Sequence, residues 1–185
     1  LTASKGLEQL VDAIALLRQR GVPARLKMLN AEYPAQVSKH AKDELVTKIE
    51  ALGLSEVVEI DTTFYSDEDC LYLLSQAHLI VFAYQDTGES SSAAVRHAVA
   101  SGVPIAATPV PIFNDVQDAV ITLPGVSPEE VASGIEGLLG WDASHWQAYK
   151  DRAGNWRAAH VHRKVASRLS GQLEALVMSR LNAEP

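Results

Sequence analysis

Apolar residues recur at spacings of three and four in several stretches of the chain, and short apolar runs lie between these stretches. The first periodic stretch has Ser4 as its expected N-cap and Gly21 as its expected stop, and its apolar face is formed by Leu7, Leu10, Val11, Ile14 and Leu17. The apolar runs predict strands at 24–29, 57–60, 79–83, 103–107 and 120–123. Helices and strands are therefore expected to alternate along the chain.

Capping signals indicate where further helices begin. Ser66 precedes three acidic residues, and Ser127 precedes a proline and two glutamates, so both serines are expected N-caps. A third helix is predicted over 90–100, with Gly102 as its stop. The last part of the chain, 141–185, is predicted to be a helical extension.

The strand predicted at 79–83 is apolar throughout, which is typical of a central parallel strand buried on both faces. Strands that alternate with helices through short connections predict an α/β fold, a Rossmann-like parallel sheet with helices on both faces. Ligands of such sheets bind beyond the carboxyl ends of the strands. The loop after 79–83 is therefore where binding residues are expected.

Composition indicates one domain and excludes several classes of partner. The 185 residues are 47% hydrophobic, which suits a single domain over 1–185. The net charge of -7 leaves no basic face for a phosphate backbone, so nucleic acid is not an expected partner. Cys70 is the single cysteine, which excludes a disulfide framework and a thiolate metal cluster and indicates a cytoplasmic protein.

The sequence also limits how the chain relates to a membrane. No apolar run approaches the roughly 18 residues of a membrane span, and the first residues do not form a signal peptide. Peripheral contact with the inner face of a membrane stays open. Because the chain has neither an initiator methionine nor a leading strand, we expect it to be a piece of a longer protein.

The most informative stretch joins the strand at 79–83 to the next helix. Ser90, Ser91 and Ser92 place small side chains around free amides at a helix N-terminus, where the dipole favours a phosphate or diphosphate. An acid there would repel a phosphate, so Glu89 is expected to accept hydrogen bonds from neutral hydroxyls, such as those of a sugar. From the spacing alone, a purely structural helix cap fits these residues equally well.

This stretch resembles the donor-site signature of retaining glycosyltransferases of family 4, which have the GT-B fold. Glu89 corresponds to the first acid of that signature, and residues 98–104 correspond to its small-residue run with glycine and proline. His97 stands where the family has a second glutamate. The resemblance implies that Glu89 is the catalytic residue at the transferred sugar. It places His97 at the ribose, with less hydrogen-bonding capacity than a carboxylate.

A second resemblance lies at the start, where Lys5 and Gly6 correspond to a Lys-Gly pair at the head of the family's first helix. It implies that Lys5 neutralises the donor diphosphate, whereas a solvated lysine is the alternative without the resemblance. The same likeness places Thr63 and Phe64 on the loop beside the base, and Asn30 near the pyrophosphate. An aromatic residue after a strand is, however, more often a packing residue.

Taken together, the resemblance implies the C-terminal, donor-binding half of a GT-B glycosyltransferase. Its first strand and its N-terminal acceptor domain are expected to lie outside the chain. The whole enzyme would be a hexosyltransferase that moves a sugar from a nucleoside-diphosphate sugar to a glycan or small-molecule acceptor. Retention of configuration is expected, and neither a metal nor another cofactor is expected to be needed. The isolated chain is expected to be inactive.

Two other functions stay open. A non-catalytic GT-B-like binding or scaffold domain is favoured by His97, because an acid is missing there. A nucleotide-sugar epimerase of the same architecture would need a cluster of catalytic acids that the sequence does not reveal.

Two further groups of residues have structural interpretations. His160 and His162 flank one residue of a predicted helix, so they point in different directions and are not expected to share a metal. The aromatic residues near the end are predicted to form one cluster that packs the last helices on the core, namely Trp141, Trp146, Tyr149 and Trp156.

Overall fold

The structure, a computed structural model, describes residues 3–31 and 36–181. Its strands are β1 (Leu26–Leu29), β2 (Val58–Asp61), β3 (Ile80–Phe82), β4 (Ile105–Ala107) and β5 (Ile121–Thr122). Its helices are α1 (Leu7–Gln19), α2 (Gln36–Ala51), α3 (Asp67–Ser75), α4 (Ala93–Ser101), α5 (Pro128–Leu139), α6 (Ala143–Ala159) and α7 (His162–Leu181). Two 3-10 segments cover Ala3–Lys5 and Pro111–Ala119. The predicted alternation of strands and helices is confirmed.

All recorded strand pairs are parallel. β1 pairs with β2, with Leu26 opposite Val58. β4 lies between β3 and β5, with Ile80 opposite Ile105 on one side. Parallel pairing needs a crossover between successive strands, and helices or the second 3-10 segment provide it.

The position of β3 differs from the sequence-based expectation. Within the described residues, β3 pairs on one edge alone, and Ile80 is its only buried residue. All three residues of β4 are buried, because β4 has a strand on each side and an apolar cluster on each face. In the three-stranded sheet the central, fully buried strand is therefore β4.

Two apolar clusters cover the two faces of the sheet. The first joins α1 and α5 to Met28, Val58 and Ala106, and the second joins α4 and the second 3-10 segment to Ile105 and Ala107. Successive strand residues point to opposite faces. Neighbouring residues of β4 belong to different clusters, which shows that helices cover both faces of the sheet, as predicted.

The capping predictions are mostly confirmed. Ser66 accepts a hydrogen bond from the Asp69 amide, and Ser127 forms a capping box with Glu130 at the start of α5. Ser4, in contrast, is not the cap of α1. Gly6 occupies that position in the left-handed conformation, and no side chain caps the helix. The reason is steric, because the start of α1 lies against the loop after β3.

The tail is helical, but its aromatic residues do not form one cluster. Trp146 contacts Trp141 and Tyr149, with ring centroids 4.9 Å and 6.4 Å away. Trp156 instead stacks on His160, 3.9 Å between ring centroids, where the helical extension is interrupted between α6 and α7. The interruption comes at the C-cap of α6, where His160 Nδ1 also lies 2.7 Å from the Trp156 carbonyl oxygen.

α7 is exposed along its length over the residues whose side chains are described, including Val165, Leu169 and Leu173. In the two described ranges, no helix is both long enough and apolar enough to span a bilayer.

Candidate functional site

The loop after β3 is held by the strand beside it. Thr108, the residue after β4, donates its backbone N–H to the Phe82 carbonyl at 3.0 Å and its hydroxyl to the Tyr84 carbonyl at 2.6 Å. Thr108 is buried, so these bonds are shielded from water. The Tyr84 ring packs against Phe82 and Phe113, at 5.7 Å and 5.1 Å between centroids. The loop therefore leaves the sheet in a fixed direction.

The start of α1 is pressed against this loop. Gln85 donates its backbone N–H to the Ser4 carbonyl at 2.9 Å. Gly6 has a φ of +64°, and a Cβ on it would lie 1.7 Å from the Ala83 carbonyl oxygen. Glycine is required at this position for two reasons, the left-handed backbone and the close approach. α1 consequently begins without a side-chain cap and with its first N–H groups open.

Lys5 lies directly beside this junction. Its Nζ is 4.0 Å from the centroid of the Tyr84 ring, which is a cation–π contact. Tyr84 is 4% exposed, so its ring offers a fixed face, and Lys5 itself is half-buried. The lysine is thereby positioned at the carboxyl end of β3, at the head of the loop that leads to Glu89. Because of this contact, Lys5 is not a freely solvated lysine, which was the alternative interpretation.

The three serines lie before the helix. The sequence had suggested that they form its first turn. α4 begins at Ala93, with Ser92 as a buried N-cap whose hydroxyl accepts from the Val95 amide at 3.4 Å. Serine is favoured at an N-cap because its backbone is extended there while its side chain reaches a free amide. Ser90 and Ser91 precede the cap and are exposed.

Backbone N–H groups accumulate at this turn. In the described part of the chain, the amides of residues 90–94 donate no hydrogen bond, whereas the Glu89 amide is bound to the Thr87 hydroxyl at 3.1 Å. Consecutive free amides at a helix N-terminus favour anions, because the dipole and the donors act together. The serine turn can therefore hold a phosphate group.

Glu89 is exposed, and among the described residues no hydrogen bond fixes its carboxylate. It follows Gly88, whose φ of +65° turns the chain just before it. The geometry leaves the carboxylate accessible to a ligand without holding it in one orientation. Its catalytic role stays a prediction.

His97 lies on α4 and faces α3. Its Nδ1 is 4.0 Å from an Asp67 carboxylate oxygen, and its Nε2 is buried with no hydrogen-bond partner in the described ranges. An unpaired buried nitrogen is costly unless a ligand or water satisfies it. Protein atoms shield Nε2 from solvent, so a ribose hydroxyl would reach it only after the side chain turns, and the ribose role stays a prediction.

The other predicted residues lie at the end of the β1–β2 pair. Asp61, the last residue of β2, accepts hydrogen bonds from the Tyr65 hydroxyl at 2.7 Å and the Thr63 amide at 3.0 Å. These bonds, Tyr65 first, lower the pKa of Asp61 to about 2. The adjoining Asn30 donates its backbone N–H to the Asp61 carbonyl at 2.9 Å. This group forms a folded loop of its own beside β1.

Phe64 is 90% exposed on that loop, so it is not a packing residue. Its neighbour Tyr65 is partly buried and engaged with Asp61, which leaves Phe64 as the exposed ring. In the described part of the structure, no hydrogen bond or ion pair joins Thr63, Phe64 or Asn30 to the Glu89 loop. It stays a prediction that Thr63, Phe64 and Asn30 contact the same ligand as Glu89.

Sequence reasoning missed three residues that shape the site, namely Tyr84, Gln85 and Thr108. The Gln85 side chain donates to the carbonyls of Ala83 at 3.1 Å and Val126 at 3.3 Å, which ties the β3 loop to the segment before α5. The signal was present, because each is a polar or aromatic residue just past an apolar strand. Their partners, however, lie far away in sequence.

Among the described residues, no group of three or more His, Cys, Asp or Glu side chains is placed to hold a metal ion. The candidate site combines a cation, free amides and an acid at the carboxyl edge of a parallel sheet. With helices on both faces, this is the Rossmann-like architecture of the C-terminal domain of GT-B glycosyltransferases.

Residues 1–140 match the model of the family described as glycosyl transferases group 1, and the chain belongs to that family. Trehalose 6-phosphate synthase from Burkholderia multivorans superposes with a TM-score of 0.83 at 11% identity, over 100% of this chain and 42% of that one. Anabaena HepE in complex with UDP superposes with a TM-score of 0.73 at 18% identity, over 97% of this chain and 46% of that one.

A sequence relative of another kind is elongation factor 4 from Gloeothece citriformis, 28% identical over 137 residues. That alignment covers 74% of this chain and 20% of the relative, so the chain spans about a fifth of that protein. This identity is too low to show a family. The family model, which covers residues 1–140, is the match that shows the family.

Proposed function

We propose that this chain is the donor-binding domain of a glycosyltransferase that moves a sugar from a nucleoside-diphosphate sugar to an acceptor. The observation that carries the proposal is the run of free amides at residues 90–94, in a loop whose head lies beside Lys5. In the proposed complex the amides and Lys5 bind the diphosphate. Glu89 meets the sugar hydroxyls, and His97 the ribose.

The proposed chemistry follows from these charges. As the bond between sugar and phosphate breaks, negative charge grows on the diphosphate, and preorganised donors stabilise it without rearrangement. A lysine held on a buried ring and a capped helix start are preorganised in this sense. Glu89 would orient the sugar through its hydroxyls, so its loss should affect transfer more than binding of the nucleotide alone.

Several finer features are part of the same proposal. The transferred group is a hexose, its configuration is retained as in family 4, and no metal or other cofactor is required. The acceptor, a glycan or small molecule, binds a further N-terminal domain. The protein acts in the cytoplasm, with peripheral membrane contact left open. Transfer in the presence of EDTA and the anomeric configuration of the product by NMR test the metal and retention statements.

We further propose that one more parallel strand completes the sheet between β1 and β3. Within the described residues each of these strands is paired on one edge alone, yet side chains from both sheets share one apolar cluster. A strand between them would satisfy both open edges. Extending the chain upstream should raise its thermal midpoint, and an unchanged midpoint would contradict the added strand.

Calorimetric titration of the whole protein with UDP, GDP, ADP and CDP tests the donor site. UDP comes first because it is the nucleotide in the HepE complex. Lys5→Gln should weaken binding about tenfold or more, as expected for the loss of a charged donor. Glu89→Gln should leave nucleotide affinity nearly unchanged while reducing transfer of the sugar. Glu68→Gln, on the exposed first turn of α3, is the matched control.

A scaffold domain that has lost activity is the second candidate, favoured by His97 in place of an acid. Turnover distinguishes the two, because a scaffold would neither transfer nor hydrolyse a sugar nucleotide. Absence of nucleotide binding by the whole protein would refute the donor-domain proposal itself.

A further inference from the structure

A half-enclosed cavity of about 230 Å³ lies at the amino end of β4, away from the serine turn. The end of α4 forms one wall at Val99 and Gly102, and the start of β4 contributes Ile105. α6 forms the opposite wall. The serine turn lies at the other end of α4, so this cavity is separate from the proposed donor site.

The α6 wall has a regular pattern. Lys150, Ala153, Gly154 and Arg157 all line the cavity, at helix positions i, i+3, i+4 and i+7. This spacing places the four residues on one face of the helix. The two small residues leave room between two long cationic side chains. A Cβ on Gly154 would meet no atom within 4 Å, which shows that space directly.

The two cations are available to a ligand. In the described part of the chain, neither the Lys150 nor the Arg157 side chain makes a hydrogen bond or an ion pair, whereas the Arg152 side chain donates to the Asp118 and Val120 carbonyls. The Arg157 guanidinium lies against Gly102, since a Cβ there would be 3.0 Å from its Nη1. In a chain with a net charge of -7, two unpaired cations beside one cavity are a local reversal of sign.

The floor of the cavity is closed and apolar. Tyr149, 5% exposed, accepts from the Ile105 amide at 3.0 Å and donates to the Ala119 carbonyl at 3.2 Å, so its hydroxyl is satisfied. Burial raises the pKa of Tyr149, against smaller opposing effects that include the charges of Arg152 and Arg157. The tyrosine therefore stays neutral and supplies a surface, not a charge.

A structural role explains one cation but not both. Arg157 lies in the last turn of α6 and beside the end of α4, where helix dipoles favour a positive charge. Lys150 lies in the middle of α6, where no such effect operates. Both side chains are exposed at the rim of the cavity, so a ligand bound there can reach both charges.

We propose that this cavity binds a small phosphate monoester. The phosphate contacts Lys150 and Arg157, because arginine pairs with phosphate through two parallel hydrogen bonds and lysine supplies a second charge. The organic part lies on Val99, Val103 and Ala153. The half-enclosed cavity of about 230 Å³ suits a compact organic group.

Titration of the whole protein with phenyl phosphate, followed by ligand-observed NMR, tests the site. Saturable binding is expected, weakened about tenfold or more when Lys150→Gln and Arg157→Gln are combined. Gly154→Leu should weaken it equally, because the new side chain fills the space while both charges remain. Arg163→Gln, which removes an exposed cation of α7, is the control and should change nothing.

Three outcomes would overturn the site: no saturable binding, unchanged binding in Gly154→Leu, or displacement of phenyl phosphate by UDP. The last would place the probe at the serine turn, so this test stands apart from the donor-site proposal. Thermal unfolding shows whether each variant folds. If the double variant does not fold, the single variants Gly154→Leu and Arg157→Gln decide the test.

Discussion

The N-termini of α1 and α5 differ although the two helices pack on each other in one layer. α5 is closed by its own residues, because Ser127 accepts from the Glu130 amide at 3.3 Å and the Glu130 carboxylate accepts from the Ser127 amide at 3.1 Å. α1 begins at Gly6, which has no side chain to cap it.

This difference separates a structural helix end from one that can receive a ligand. At α5 the sequence itself satisfies the first amides, so the end contributes stability alone. At α1 the end is fixed by backbone contact with the β3 loop and leaves its donors open beside Lys5. The serine turn of α4 is intermediate, since Ser92 satisfies the Val95 amide and residues 90–94 stay free.

The largest effect is expected at Gly6. Gly6→Ala should lower the free energy of unfolding by about 3 kcal/mol or more, because the methyl group would strain the backbone and collide with the Ala83 carbonyl. Urea unfolding measures it. Gly137→Ala, inside α5 with open space around its Cβ, is the control and should raise stability by up to about 1 kcal/mol. Similar losses in both variants would show that the close approach at Gly6 is unimportant.

The second effect is stabilisation by the proposed ligand. A nucleoside diphosphate at 100 times its Kd should raise the free energy of unfolding by about 2.7 kcal/mol. Ser127→Ala should keep this increment, and Lys5→Gln should reduce it to about 1.4 kcal/mol if affinity falls tenfold. Ligand-dependent unfolding curves of the three proteins measure it. Equal increments in Ser127→Ala and Lys5→Gln would remove the functional distinction between the two helix ends.

Ser127→Ala alone should cost about 1 kcal/mol, the usual loss for an N-cap serine. The measurement is urea unfolding without ligand. Ser127→Asp keeps an acceptor at the cap and should recover most of the loss. A neutral effect of Ser127→Ala would mean that the capping box contributes little and that α5 is held by packing alone.

The smallest effect is expected at Asp61, a carboxylate that, like Glu130, is closed by its own neighbours. Tyr65→Phe removes the main hydrogen bond, so the pKa of Asp61 should rise from about 2 toward its ordinary 3.8. Because that pKa is lowered on folding, the ionised carboxylate stabilises the fold above about pH 4, and this contribution disappears as the pH falls toward 2.

An NMR titration of the Asp61 carboxyl carbon measures this shift, with the unsubstituted protein as reference and no ligand present. Thr62→Val, which leaves the Tyr65 and Thr63 bonds in place, should not move it. An unchanged pKa in Tyr65→Phe would assign the lowering to the Thr63 bonds instead.

The features that the sequence predicted are the local ones. The capping box of α5 depends on residues three apart, and the stops at Gly21 and Gly102 depend on one residue each; both glycines have a positive φ. The periodic spacing that placed Leu10, Ile14 and other residues in the core is also local. Short-range rules are enough for such features.

Contacts that depend on sheet assembly could not be read in the same way. Gly6 meets Ala83, and Thr108 meets Tyr84, because parallel strands bring distant loops to one edge. The apolar run at 79–83 predicts a strand but does not show which strands pair with it among the described residues. The sequence predicted a helix from residue 90, whereas the extended backbone at Ser92 makes that residue the N-cap and starts α4 at Ala93.

The exposure of α7 has a consequence for how this chain behaves in experiments. A helix of 20 residues without tertiary cover is marginal in water, and Gly171 in its interior weakens it further. Amide hydrogens of α7 should therefore exchange with deuterium long before those of α5. Proteases should cut there first and leave a shorter fragment that retains the sheet, the loop after β3 and the cavity beside α6.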